Sequence, residues 1–215
     1  MLLTIDIGNT NITLGAYQGE TLQFESRMET NRFRMEDQYA IELRDIIDLY
    51  GFSPAQFEGA IICSVVPALT SVIARAVEKL VGKTPLLVGP GLKTGLNIRI
   101  DNPAQLGADL VAGAVGAISK FPCPCILFDL GTATTISVVA RDTSFLGGII
   151  IPGVYISYNA LTSRTAQLPQ VSLEAPPHVI GKNSIDSMKS GSVYGTAAMI
   201  DGICERIEEE IAAAK

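Results

Sequence analysis

Two stretches of this chain, 123 residues apart, begin in the same way. Leu2 to Ile7 and Cys125 to Leu130 are apolar runs that end in Asp-x-Gly, as Asp6-Ile7-Gly8 and Asp129-Leu130-Gly131. An apolar run of this length, closed by a turn signal, reads as a buried strand. After the first copy, Asn11 to Tyr17 and Leu22 to Met28 flank Gln18-Gly19-Glu20 and complete a meander of three antiparallel strands. After the second, Thr135 to Ala140 and Phe145 to Ile151 repeat the plan. A meander recurring at such a distance constrains the chain to two related α/β lobes facing each other across a cleft. Between the copies the pattern predicts a helix over 36–50 stopped by Gly51, a strand over 59–65, a helix over 68–81 stopped by Gly82, and a short strand over 85–88. A loop over 89–95 and a helix over 103–119 follow. Beyond the second meander come a helix beginning at 156–161, an irregular stretch over 168–177 and one long helix, or two, over 184–214. The division expected is 1–120 and 121–215. The second lobe reads as truncated, because no further strand follows its long helix.

Hydrophobic residues make up 47 % of the 215 and charged residues 18 %, enough to fill a core. The formal charge of −6 disfavours nucleic acid as a partner, since an acidic chain gains nothing from counterion release. The same field is wrong for any anionic substrate, which then needs a local cation or backbone donors. Cys123-Pro124-Cys125 has too short a spacing for a zinc knuckle, and the four cysteines read as reduced thiols. The start Met1-Leu2-Leu3-Thr4-Ile5-Asp6 has no basic leader. The most apolar stretch, 145–161, is broken by Gly147, Gly148, Pro152 and Gly153. No membrane association is therefore expected, and a cytoplasmic location is.

The chemistry lies in the turns. A glycine after the strand-end Asp lets backbone N–H groups approach a phosphate closely. Asn9, Thr10, Thr132 and Thr134 add compact donors, and an Asp at a strand end can hold a cation that neutralises phosphates. One such turn is an ordinary hairpin start. Two at matching strand ends point to an ATP-dependent small-molecule kinase. Gly147-Gly148-Ile149-Ile150-Ile151-Pro152-Gly153 reads as a bulged strand and tight loop, compatible with a substrate wall. Asp109, in Gly107-Ala108-Asp109, is the one carboxylate of the window 105–117. It reads either as a charge favoured near a helix start or as a general base for a substrate hydroxyl.

Taken in order, these motifs resemble type III pantothenate kinase, a family of the actin-like and sugar-kinase superfamily. The matching segments are Asp6-Ile7-Gly8-Asn9-Thr10, Gly107-Ala108-Asp109, Asp129-Leu130-Gly131-Thr132-Ala133, Gly147 to Gly153, Thr165-Ala166-Gln167-Leu168-Pro169 and Gly181-Lys182-Asn183-Ser184. The resemblance implies two ribonuclease-H-like (actin-like ATPase) lobes around a nucleotide cleft. It implies phosphorylation of pantothenate to 4′-phosphopantothenate by ATP, with Mg2+, as the first step of coenzyme A biosynthesis. It implies ATP phosphates held by Asp6, Ile7, Gly8, Asn9, Thr10, Asn11, Ile12 and Thr13, with Thr132 from the second turn. Asp129 would bind a monovalent cation, K+ or NH4+. Asp109 would take the hydroxyl proton, and Gly107, Ala108, Asp109 and Leu110 would line the pantothenate site. Ser184 stands at a substrate-contacting position reached across a homodimer interface. The chain departs from the family pattern at Leu110, where an Arg is usual, and at Ser184, where a Thr is usual. Leu supplies neither the permanent charge nor the fork of a guanidinium. Two other readings accompany this one: a non-catalytic accessory relative, and a related small-molecule kinase.

Overall fold

The computed structural model describes residues 1–89, 91–165 and 168–213. The chain is an α/β protein with one mixed five-stranded sheet, one three-stranded sheet and several helices. It divides into two compact units. The first comprises Met1–Cys125 with Val139–Gly147, and the second Ile126–Val138 with everything from Gly148 onward.

In the first unit, β1 (Leu2–Ile7) pairs antiparallel with β2 (Asn11–Gln18), which pairs antiparallel with β3 (Thr21–Glu29). Next come α1 (Glu36–Leu49), β4 (Gly59–Ser64), α2 (Pro67–Val81) and β5 (Leu86–Leu87). β4 lies parallel to β1, and β5 parallel to β4, giving the sheet order β3-β2-β1-β4-β5. Parallel pairing needs a crossover, and α1 and α2 supply it. Leu3, Ile5, Ile7, Ile12 and Leu14 alternate onto one face and meet Tyr39, Leu43, Ile47, Leu69 and Ile73 of the two helices in a single buried core. Period 2 on the strands and period 3.6 on the helices put those residues on facing surfaces. Asp6, on the other parity of β1, is exposed.

The helix expected from Pro103 starts later. Pro103–Gln105 forms one 3-10 turn, which Asn102 caps by accepting from the Ala104 N–H at 3.2 Å. Leu106 and Gly107 are then extended, and α3 runs over Ala108–Lys120. The break leaves Asp109 in the first turn of α3, where a helical start at Pro103 would have placed it mid-helix.

The second meander consists of β6 (Cys125–Leu130), β7 (Ala133–Val139) and β8 (Phe145–Pro152) in that order. The second unit continues with α4 (Val154–Arg164) and the 30-residue α5 (Ser184–Ala213). The irregular connection before α5 is tacked down by the Tyr194 hydroxyl, which donates to the Pro176 carbonyl at 3.0 Å, and by Ser190, which donates to the Val179 carbonyl. No helix among the described residues is long and apolar enough to cross a membrane.

Candidate active site

The first Asp-x-Gly turn joins β1 to β2 and is strapped from outside. The Gly8 N–H donates to the Asn11 carbonyl at 3.0 Å, and the Thr30 N–H to the Thr10 carbonyl at 2.9 Å. Thr30 Oγ1 donates to the Gly8 carbonyl at 2.7 Å, and Arg32 Nη2 to Asn9 Oδ1 at 2.9 Å. A Cβ on Gly8 would sit 2.9 Å from the Asn11 oxygen, so the turn closes this tightly only around glycine. The bond to Asn11 occupies the Gly8 N–H inside the turn. Asp6, Asn9, Thr10 and Asn11 are exposed and Thr13 is half-buried, whereas the Ile7 and Ile12 side chains are wholly buried. Those two isoleucines anchor the turn and present only main chain to a ligand.

Asp109 is half-buried in the first turn of α3, where its Oδ1 accepts the Leu110 N–H at 2.8 Å. Gly107 precedes it, extended, and a Cβ there would meet Asp109 Oδ1 at 2.4 Å. The helix packs on β4, whose Cys63 lies opposite Asp6 in the parallel register. Burial pushes the Cys63 thiol up to about 12, and the Asp6 and Asp109 carboxylates add to the rise, Asp6 also through a hydrogen bond. A thiol so displaced is held in its neutral form near pH 7. β4 thus lies next to both the strand that ends in the first turn and the helix that carries Asp109, two motifs 103 residues apart in sequence. Beside the helix start lies a cavity of about 460 Å³, lined by Leu92, Ile98, Leu106, Ala108 and Val111 among others, with no charged side chain among its described lining.

In the second unit the Gly131 N–H donates to the Ala133 carbonyl at 3.1 Å, one residue tighter than the closure at Gly8. Gly153 seals this turn, donating its N–H to the Thr132 carbonyl at 3.1 Å. Asp129 is exposed near the end of β6, and no ion pair joins its carboxylate to a described residue. Thr132 is exposed too. Thr134 is only 1 % exposed and lines a separate cavity of about 910 Å³, so its hydroxyl is not part of the turn mouth. The same cavity is lined by Pro152, Tyr158, Lys182, Ser184 and Met188. Ser184 is exposed at the first residue of α5, next to Asn183, whose Oδ1 accepts the Asp186 N–H at 2.9 Å and caps the helix. Of the motif 165–169, Ala166 and Gln167 lie outside the described residues. No group of three or more His, Cys, Asp or Glu is placed to hold a metal ion among the described residues.

Arg32, Lys182 and Cys63 are the site neighbours without an assigned role in the sequence reading. Arg32 lies 23 residues from its partner Asn9 and carries no motif of its own; the strap formed by Thr30 brings it to the turn.

The family model for type III pantothenate kinase matches residues 2–206. The chain belongs to the type III pantothenate kinase family. A type III pantothenate kinase of an Anaeromyxobacter species is 44 % identical over 211 residues, covering 98 % of this chain and 83 % of that one. A second, from Halalkalibacterium halodurans, is 42 % identical over 210 residues with the same coverage. Among solved structures, a putative Baf family transcriptional activator from Campylobacter jejuni shares the fold at a TM-score of 0.56 and 22 % identity, covering 93 % of this chain and 78 % of that one. A putative 2-dehydro-3-deoxygalactonokinase from Sinorhizobium meliloti shares it at 0.54 and 11 % identity, covering 94 % and 80 %. Membership in the kinase family decides for an enzyme over an accessory relative.

Proposed function

We propose a division of labour among this chain's residues for the reaction of its family, the ATP-dependent phosphorylation of pantothenate to 4′-phosphopantothenate that opens coenzyme A biosynthesis. The observation that carries it is that β1, which ends in the Asp6 turn, and α3, whose first turn holds Asp109, both lie against β4. ATP supplies the γ-phosphoryl group, and Mg2+ with a monovalent cation neutralises its charge. The residues from Asp6 to Thr13 hold the phosphates, with Thr132 contributing from the second turn. Asp109 accepts the proton of the pantothenate hydroxyl as its oxygen bonds to the γ-phosphorus and the bond to ADP breaks. Gly107, Ala108 and Leu110 wall the acceptor, and Leu110 contributes apolar contact with no charge.

Asp129 is assigned the K+ or NH4+ ion. No ion pair joins its exposed carboxylate to a described residue, and the Gly131 and Thr132 carbonyls of the same turn supply further hard oxygen donors of the kind such cations take. The two units are read as two actin-like lobes, on the strength of the repeated Asp-x-Gly meander. Ser184 is read as contacting substrate in a homodimer. Its neighbours Val179, Ile180 and Ile185 are exposed large hydrophobics of the kind a partner surface covers. A cytoplasmic location fits this substrate.

Turnover in K+ or NH4+ is expected to exceed that in Na+, and Asp129→Asn is expected to abolish the difference. Steady-state rates in the three chloride salts at one ionic strength check this. An Asp129→Asn enzyme that still responds to K+ as the parent does removes Asp129 as the ligand.

A further inference from the structure

An acidic chain that binds a triphosphate needs a cation at the phosphate site, and no lysine or arginine lies within the segment from Asp6 to Thr13. The loop between β3 and α1 brings one there. Arg32 donates through Nη2 to Asn9 Oδ1 at 2.9 Å, and no ion pair joins it to any described residue. The arginines nearest to it in sequence differ in this respect: Arg27 pairs with Glu25 and Arg34 with Glu42.

The loop that carries Arg32 is fixed at both ends of a short span. Thr30 holds it to the turn through its N–H and its hydroxyl. The fully buried Tyr39 holds it to the core, donating its hydroxyl to the Asn31 carbonyl at 2.7 Å and accepting the Asn31 N–H at 3.2 Å. Asn31 Oδ1 in turn accepts the Phe33 N–H at 3.0 Å. Arg32 is therefore bracketed by two residues with fixed main chain. A guanidinium has five N–H donors in a planar fork, and Asn9 takes one, so the rest are left for an anion.

We propose that Arg32 is a phosphate ligand of the nucleotide, held in readiness by Asn9, and supplies the local positive charge that the phosphate turn lacks. The proposal rests on the reading of residues 6–13 as the phosphate turn, and the experiment separates the two. Affinities for ATP and for adenosine are measured by calorimetry on the full chain and on Arg32→Gln, Arg32→Lys and Asn9→Ala. Charge-assisted hydrogen bonds to a phosphate predict about a 10- to 100-fold loss of ATP affinity in Arg32→Gln. Adenosine affinity is expected to stay unchanged, and Arg32→Lys to recover part of the loss, because charge returns without the fork. At a fixed, saturating K+ concentration, the parent's ATP affinity should fall with added NaCl more steeply than that of Arg32→Gln.

Equal losses of ATP and adenosine affinity in Arg32→Gln would mean a structural role and overturn the proposal. So would parental ATP binding in Arg32→Gln alongside weakened binding in Asn9→Ala, which leaves the turn reading standing. Parental ATP binding in both variants would overturn the turn reading and the proposal with it.

Discussion

Asp109→Asn is expected to bind ATP as tightly as the parent enzyme and to turn over about a hundred- to ten-thousand-fold more slowly. An amide matches the carboxylate in shape, and its oxygen can still accept the Leu110 N–H that now fixes Oδ1 at 2.8 Å. What it cannot do is take a proton from a hydroxyl. The carboxylate stands at the start of a helix, fixed by its own backbone, with Gly107 leaving room for its oxygen. That favourable position is also the competing, purely structural reading of Asp109 as a charge near a helix N-terminus. The two readings separate cleanly. Loss of a helix-terminal charge lowers the melting temperature and leaves turnover per folded molecule nearly intact, whereas loss of the base does the reverse. The measurements are kcat for ADP release and a thermal melt of the same sample. A variant with the parent's kcat would remove Asp109 as the base.

Gly153→Ala carries the second large effect. A Cβ at this position would sit 2.3 Å from the Gly131 oxygen and 2.4 Å from the Thr132 oxygen, both main chain and so unable to swing aside. The Gly153 N–H also donates to that Thr132 carbonyl. Relief of the overlap must displace the Asp129–Thr132 turn or the start of α4. Overpacking of this kind costs about 1–3 kcal/mol. For a chain of this size that is roughly 2–4 °C of melting temperature per kcal/mol. Because the displaced turn carries both Asp129 and Thr132, ATP affinity and K+ response are expected to fall together. Gly113→Ala is the control: a Cβ on Gly113, inside α3, meets nothing within 4 Å. Calorimetric melts of the two variants decide the matter, and a Gly153→Ala melt within a degree of Gly113→Ala would contradict the packing argument.

The strands and most helices were legible because period and punctuation agreed. Leu2 to Ile7 had one buried parity and a terminal Asp-x-Gly, and α1 and α2 had apolar spacing with glycine stops. The start of α3 was not, since Pro103 is as good an opening for one 3-10 turn as for a helix, and only the Asn102 cap and the extended Gly107 decide between them. At the site, the order of the motifs revealed the family. Hydrogen-bond use inside the turns was hidden, because a glycine that permits close approach reads the same whether its N–H is free or already bonded to Asn11. Thr134 was placed with Thr132 by proximity in sequence, yet strand alternation turns it inward to the cavity of the second unit. Arg32 and Cys63 owe their positions to tertiary contacts. One is delivered by the Thr30 strap and the other by strand register, and neither leaves a local signal.

The measurement that bears most directly on this account is the product of a single incubation. The purified chain is given ATP, Mg2+, K+ and pantothenate, with a matched sample lacking pantothenate, and both are read by mass spectrometry and ADP assay. The account predicts 4′-phosphopantothenate and ADP in equal amounts, with no ADP above background in the control. ADP release that does not depend on pantothenate, or none in either sample, would contradict it.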